Sequence, residues 1–170
     1  MRGALLAVTL AAGLAAAPAA AVATAAQDAG LALGTAAPAV AVQDLDGKPV
    51  DLGQYIGKQP LFLEWWATWC EQCDALLPRV RAARAELGDR VGFFGINVAV
   101  NQSPERVGRY VKANDVPFRT LYDVEGTSTR AYAAPTTSYV VIVDRAGRVA
   151  YTGTGGDQDF LGALRRVAAP

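Results

Sequence analysis

The sequence predicts an α/β domain with a mixed central sheet of about five strands and helices on both faces of the sheet. An apolar run, Leu61 to Trp66, has strand composition and is followed directly by a helix-forming stretch. A second apolar strand, Val91 to Val98, comes after that helix, and such a strand–helix–strand unit forms a parallel pair. The β-branched run Ser138 to Val143 is followed by a turn, a returning strand and a helix, which predicts an antiparallel hairpin closed by a helix.

The N-terminus has the pattern of a secretory signal peptide. Met1-Arg2 precedes an Ala- and Leu-rich segment, and Ala23-Thr24-Ala25 fits an A-x-A cleavage site. The sequence therefore predicts a signal peptide over 1–26, a flexible lead over 27–36 and one domain over 37–170. The protein is expected to be exported to the periplasm or another extracytoplasmic space. A retained membrane anchor is the alternative, although a segment this rich in Ala and Gly inserts weakly.

The first part of the domain is expected to form a β-hairpin and a short helical turn. Apolar residues alternate over 40–45, Asp46-Gly47 is a hairpin turn signal, and Pro49 to Leu52 forms the return. The helical turn is predicted over Gly53 to Gly57. The central strand that follows is apolar on both faces except at Glu64, as expected for a strand covered on both sides.

Helices are expected to provide most of the remaining structure. Ser103 and Pro104 have the N-cap and first-turn preferences of a helix start, and Asp157 is expected to cap the closing helix. The predicted helices are Glu71 to Leu87, Pro104 to about Ala113, Gly126 to Tyr132 and Asp157 to Val167, and Val116 to Leu121 is expected to lead into a short strand.

Two cysteines, Cys70 and Cys73, lie where the central strand is followed by its helix. A Cys-x-x-Cys pair at such a point is the arrangement of a redox dithiol. Because unpaired N–H groups and the helix dipole favour an anion at the helix start, Cys70 is expected to be the exposed nucleophile. Cys73, one turn further and more buried, is expected to be the resolving thiol. Half of a metal site and a structural disulfide are the alternative interpretations.

The composition excludes several kinds of site. The chain has no His, which excludes His-ligated metals, Ser-His and Cys-His couples and, with Asp74 after Cys73, a haem attachment motif. Its 16 basic and 16 acidic residues are balanced, which argues against nucleic acid and strongly anionic membranes as partners. The protein is expected to be a monomer with no metal, haem or other cofactor besides a redox-active Cys70–Cys73 disulfide.

The stretch from Leu61 to Pro78 resembles the active site of the thioredoxin superfamily. The match includes Trp69-Cys70-Glu71-Gln72-Cys73, the apolar strand before it, and Pro78 five residues after the second cysteine. The N-terminal hairpin and the added central helix and strand resemble the TlpA/ResA branch, over about residues 31–168. The resemblance implies a thioredoxin-like fold and thiol–disulfide oxidoreductase activity. Leu76 is a departure, since ResA-like reductases often carry an acid there.

The resemblance also implies roles for residues around the cysteines. Pro135 matches the cis-proline that faces the dithiol in this family, with an ordinary trans proline as the alternative. The backbone of Ala134 would then pair with an extended partner chain. Glu71, an acid beside Cys70, opposes ionisation of that thiol. The expected client-binding residues are Trp69, Ala134, Pro135 and Thr136, and the expected redox-tuning residues are Trp69, Glu71 and Gln72.

Glu64 lies six residues before Cys70, where thioredoxins carry a buried Asp and periplasmic oxidases a Glu. An acid on a strand of Leu, Phe and Trp is expected to be buried, which would raise its pKa toward neutrality. It would then take the proton of Cys73 directly or through a water. The alternative is a strand-edge Glu that faces solvent.

These observations predict an exported enzyme that reduces the disulfides of cysteine-containing client proteins. By resemblance, its electrons come from a membrane thiol donor, and it serves cytochrome c maturation or envelope redox homeostasis. A peroxiredoxin is a second hypothesis, but its P-x-x-x-T-x-x-C pattern is not met, since Thr68 stands two residues before Cys70 and Pro60 ten. A non-enzymatic thiol chaperone that binds such clients is a third.

Overall fold

The computed structural model describes residues 30–169. One sheet contains seven strands in the order β2-β1-β5-β4-β3-β6-β7. The strands are β1 (Ala41–Gln43), β2 (Pro49–Asp51), β3 (Leu61–Trp66), β4 (Gly92–Asn97), β5 (Arg119–Tyr122), β6 (Tyr139–Val143) and β7 (Val149–Gly153). The helices are α1 (Glu71–Leu87), α2 (Pro104–Ala113), α3 (Thr127–Ala131) and α4 (Leu161–Ala168), with 3-10 turns at Leu52–Gln54 and Gly88–Arg90.

The sheet is mixed, as predicted. Strands β3, β4 and β5 are parallel, and β6 runs antiparallel to β3, with Trp65 opposite Tyr139. The predicted N-terminal hairpin is confirmed, and it joins the sheet because Gln43 of β1 pairs with Tyr122 of β5. The sheet therefore has seven strands instead of the predicted five or so.

Helices cover both faces of the sheet because β3 buries its side chains on both. Successive side chains of a strand alternate between faces. On one face, Phe62 packs against apolar residues of α1 and α4, and Trp66 packs against the cysteines and α2. On the other face, Leu63 and Trp65 pack with Tyr132, at the end of α3. The active-site helix α1 thus begins at the C-terminal end of a strand buried on all sides.

The closing helix begins later than the sequence predicts. It starts at Leu161, and Asp157 does not cap it. The buried side chain of Gln158 explains the difference, because its Nε2 donates to the carbonyl oxygens of Ser138 (2.9 Å) and Gly155 (2.8 Å). These contacts hold the segment before α4 as a loop against the start of β6.

Part of the predicted flexible lead is held by the fold. The amide of Leu31 donates to the hydroxyl of Tyr139 (3.0 Å), and Gly34 and Thr35 exchange backbone hydrogen bonds with Val149 of β7. Residues 31–36 are therefore part of the folded domain. The predicted signal peptide and cleavage site lie outside the described residues. Among residues 30–169, no helix has the length and apolar composition of a membrane span.

Candidate active site

The two cysteines form a disulfide at the start of α1, with their Cα atoms 5.2 Å apart. Cys70 is the N-cap residue, with an extended backbone, and its Sγ accepts a hydrogen bond from the amide of Cys73 at 3.1 Å. An N-cap normally supplies an oxygen to the unpaired N–H groups of the first helical turn. Here the sulfur takes that place, so a Cys70 thiolate would receive both the N–H and the positive end of the helix dipole.

The predicted difference in exposure between the two cysteines is wrong. Cys70 is 5% exposed and Cys73 is 7% exposed, because both belong to a cluster with Trp66, Val107 and Tyr122. Helix α2 contributes Val107 to this cluster and covers the pair from the side. The two thiols therefore differ in hydrogen bonding and not in exposure, since it is the Cys70 sulfur that accepts a helix N–H.

Glu64 is buried beneath the disulfide. It is 2% exposed, so the solvent-facing alternative is excluded, and burial raises its pKa to about 8. Within residues 30–169 its carboxyl group has no ion-pair or hydrogen-bond partner. A small cavity of about 10 Å³ is lined by Glu64, Cys73 and Tyr110 among others, and this volume is at the lower limit for one water molecule. The structure therefore brings the predicted acid and the predicted resolving cysteine to the same cavity.

Trp69 is anchored next to the disulfide, although the residue remains 46% exposed. Its Nε1 donates to the carbonyl oxygen of Val100 at 2.9 Å, and the amide of Thr68 donates to the side chain of Gln102 at 3.0 Å. The loop after β4 therefore fixes the segment before Cys70. Sequence reasoning missed this loop, because only the tertiary structure brings residues 100–102 beside residues 68 and 69.

Gln72, between the cysteines, is tied to the loop before α4. Its Oε1 accepts a hydrogen bond from the amide of Gly156 at 2.9 Å. A Cβ at Gly156 would lie 2.6 Å from the Cβ of Ala75, so the close approach requires glycine. The neighbouring Gly155 donates to the Ser138 hydroxyl, which links this loop to the turn before β6. Glu71, by contrast, is exposed in the first turn of α1.

Pro135 lies in the turn before β6, but the predicted cis peptide is wrong. No described residue has a cis peptide bond, and the chain turns through positive φ angles at Ala133 (47°) and Ser138 (57°) instead. A trans X-Pro bond is the more stable isomer when the backbone can turn elsewhere. Because Tyr139 of β6 pairs with Trp65, this turn lies at the edge of the sheet where β3 leads to the cysteines.

The predicted client-binding residues of this turn differ in their exposure to solvent and in their free backbone groups. Pro135 and Thr136 are exposed, and Ala134 is half-buried. The amide of Ala134 donates to the carbonyl oxygen of Thr129 at 2.9 Å. Its N–H group is therefore used within the fold, and only its carbonyl group remains for pairing with an extended chain.

A tyrosine and an aspartate complete the site and were not predicted. The hydroxyl of Tyr110, on α2, donates to the carboxylate of Asp74, in the first turn of α1. The Tyr110 ring packs against Trp66, with ring centroids 5.5 Å apart. Nothing in the local sequence could indicate this pair, since the two residues are 36 positions apart.

Comparison with known proteins places this site in a family. A family model described as Redoxin matches residues 32–165. The chain belongs to the Redoxin family. Thiol-disulfide oxidoreductase ResA of Bacillus subtilis (strain 168) is 27% identical over 122 residues, which cover 72% of this chain and 67% of that protein. Thioredoxin-like protein YneN of the same strain is 27% identical over 124 residues, 71% of each chain.

Solved structures agree with the predicted thioredoxin-like fold. The thioredoxin domain of a thiol-disulfide oxidoreductase from Bacteroides vulgatus superposes with a TM-score of 0.69 at 19% identity, over 81% of this chain and 99% of that one. StoA from Bacillus subtilis gives a TM-score of 0.62 at 21% identity, over 78% and 98%. The predicted fold class and the predicted resemblance to ResA-type proteins are thus confirmed.

Proposed function

We propose that this protein is an exported enzyme that reduces disulfides in cysteine-containing partner proteins. It is a thiol–disulfide oxidoreductase of the ResA type, as its family and its curated relatives indicate. The observation that carries the proposal is the Cys70–Cys73 disulfide at the N-terminus of α1, with an N–H group directed at the Cys70 sulfur. A structural disulfide would not need this contact, whereas a nucleophilic thiolate gains stability from it.

The reaction proceeds in two exchange steps. In the reduced enzyme, the Cys70 thiolate attacks one sulfur of the client disulfide, and the other client sulfur leaves as a thiolate. Cys73 then loses its proton and attacks Cys70 Sγ, which forms the Cys70–Cys73 bond and releases the second client sulfur. A dithiol donor on the membrane reduces the enzyme again by the reverse sequence.

Glu64 serves both directions of this cycle. Because burial raises its pKa to about 8, most of the carboxyl groups are protonated near pH 7. The protonated form can supply a proton to Cys73 when the donor opens the disulfide. The ionised fraction can accept the Cys73 proton during resolution, and it grows as the pH rises toward 8.

Acidic residues around the pair favour reduction of clients over oxidation. Glu71 and Asp74 lie in the first turn of α1, next to the two cysteines. Negative charge opposes thiolate formation, and strong oxidants of this class owe their high potential to a stabilised thiolate. These charges therefore support a low reduction potential.

Measurement of the reduction potential tests this proposal directly. Equilibration with glutathione or dithiothreitol should give a value of about −200 mV or lower. The Glu71→Gln variant, which removes one charge beside Cys70, should have a higher potential than the parent. A parental potential near about −120 mV, the range of strong periplasmic oxidants, would contradict the reductase direction.

Export is proposed from the N-terminal sequence pattern. The client proteins and the membrane thiol donor would then meet the enzyme outside the cytoplasm, and cytochrome c maturation or envelope redox homeostasis is the proposed setting. N-terminal sequencing of exported material should find a chain that starts near Ala26 or Gln27. A chain that retains Met1 would contradict cleavage and support a membrane anchor.

A further inference from the structure

The cavity beneath the disulfide is lined by one hydroxyl-bearing side chain, which the exchange reaction does not use. Tyr110 lines this cavity together with Glu64 and Cys73. Its hydroxyl donates to Asp74, which is exposed on the first turn of α1. Contact with Trp66 holds the tyrosine ring in place, with centroids 5.5 Å apart. One hydrogen bond therefore joins a side chain that lines the cavity to a carboxylate in solvent.

We propose that Tyr110 and Asp74 form a proton outlet that connects the buried Glu64 carboxyl to solvent. The inference rests on the proposed function, in which Glu64 carries the proton of Cys73. The Glu64 carboxyl is 2% exposed and has no hydrogen-bond partner among the described residues, so its proton would leave through the small cavity that it shares with Tyr110. The cavity is at the lower limit for one water, which would bridge Glu64 and the Tyr110 hydroxyl.

The proton transfer balances with the disulfide chemistry. During resolution the Cys73 thiol gives its proton to the Glu64 carboxylate, the Cys73–Cys70 bond forms, and the bond from Cys70 to the client sulfur breaks. The client leaves as a thiolate. Glu64 then releases the proton to the bridging water, which passes a proton to the Tyr110 oxygen as the Tyr110 hydroxyl proton moves to Asp74. Asp74 releases that proton to solvent, so each group returns to its starting state.

The charges around Tyr110 are consistent with this role. Burial, followed by the hydrogen bond to Asp74, raises the pKa of Tyr110, and the negative charges of Asp74 and Glu64 add to the effect. Arg81, also on α1, acts in the opposite direction. The phenol therefore stays neutral through the physiological range, and a neutral hydroxyl can accept one proton while it donates another.

The test uses the aromatic disulfide dithionitrobenzoate with the reduced enzyme. Attack by Cys70 releases one coloured thiolate, and attack by Cys73 on the resulting mixed disulfide releases a second. In the Tyr110→Phe variant the second phase should be about three- to tenfold slower near pH 7, while the first phase stays within about twofold of the parent. The matched control is Tyr132→Phe, which removes the hydroxyl that donates to Pro38 on the opposite face of the sheet and should leave both phases unchanged.

The Asp74→Asn variant separates a proton path from simple electrostatics. The amide oxygen can still accept the Tyr110 hydrogen bond, but it cannot take up a proton. Removal of a negative charge near the cysteines would by itself favour thiolates and accelerate resolution. The proposed proton outlet predicts the opposite effect on the rate of resolution, so the second phase of Asp74→Asn should be slower than that of the parent. A faster second phase in Asp74→Asn would overturn the proposal even if Tyr110→Phe proved unstable.

Glu64 variants distinguish failure of the outlet from failure of the proposed function. The double variant Glu64→Gln/Tyr110→Phe should be no slower in the second phase than Glu64→Gln alone, since both changes interrupt one path. A slow Glu64→Gln with a parental rate in Tyr110→Phe would overturn the outlet and leave the role of Glu64 standing. Parental rates in both single variants would overturn both.

Discussion

The Cys73→Ser variant should accumulate a mixed disulfide between Cys70 and a client protein, whereas Cys70→Ser should accumulate none. Without Cys73, the attack that releases the client no longer occurs within one molecule, and intramolecular geometry of this kind provides large rate gains. Disulfide reduction by either variant should fall by at least about a hundredfold. Non-reducing electrophoresis and mass spectrometry of the cysteine peptides would locate the adduct.

The cap hydrogen bond is the reason for this assignment. Because the two sulfurs are almost equally buried, exposure does not decide which thiol reacts first. The Cys70 sulfur accepts the Cys73 amide, which stabilises a thiolate at position 70. A variant that lacks both cysteines should form no adduct and serves as the control. Adducts on Cys73 in the Cys70→Ser variant would reverse the assignment.

The Glu64→Gln variant should be more stable than the parent at pH 8, and the gain should disappear at acidic pH. Burial raises the pKa of Glu64 from 4.5 to about 8, so ionisation favours the unfolded chain. The contribution of the protonated Glu64 to the free energy of unfolding of the parent is therefore fully present below pH 4.5 and is lost as the pH rises through 8. The gain above pH 8 should be about 1–3 kcal/mol, because the buried amide keeps a desolvation cost of its own. Denaturant unfolding of the oxidised protein across this pH range would measure it.

Glu86→Gln is the matched control for this prediction. Glu86 lies on α1 and forms an exposed ion pair with Arg165, which lowers its pKa. Its removal should give no gain in stability at alkaline pH. In exchange assays, Glu64→Gln should resolve the mixed disulfide about tenfold more slowly near neutral pH and lose the rate increase centred near pH 8. Stability and exchange rates that both match the parent from pH 6 to 9 would mean that the carboxyl is neither ionised in the fold nor used.

Local signals account for the parts of the fold that the sequence predicted well. Strand β3 and helix α1 have the predicted bounds, because a short apolar run and a long amphipathic stretch are separated by the Ala67-Thr68 break. Ser103 caps α2 as predicted, since its hydroxyl accepts the Arg106 amide. The start of α4 was missed because it depends on Gln158, which donates a hydrogen bond to Ser138 in a turn 20 positions away.

In the candidate site, too, local features were predictable from the sequence and tertiary features were not. The Cys-x-x-Cys pair and an acid on a buried strand are visible in the sequence, and the structure places Cys73 and Glu64 at one cavity. The equal burial of the cysteines arises from α2, which folds over them from a separate segment. The turn at Pro135 takes its shape from left-handed residues on either side, which no local pattern indicates.

The contact between Gln72 and Gly156 has a consequence for engineering. A replacement of the two residues between the cysteines would change only the local environment of the redox pair if these residues had no contacts elsewhere. Here the second of these residues, Gln72, accepts a hydrogen bond from Gly156, which lies in a loop 84 positions away. At Gly156 there is no room for a side chain. A dipeptide without Gln72 would therefore lose the hydrogen bond to the Gly156 amide. Redesign of this redox pair has to treat the dipeptide and the Gly155-Gly156 loop as one unit.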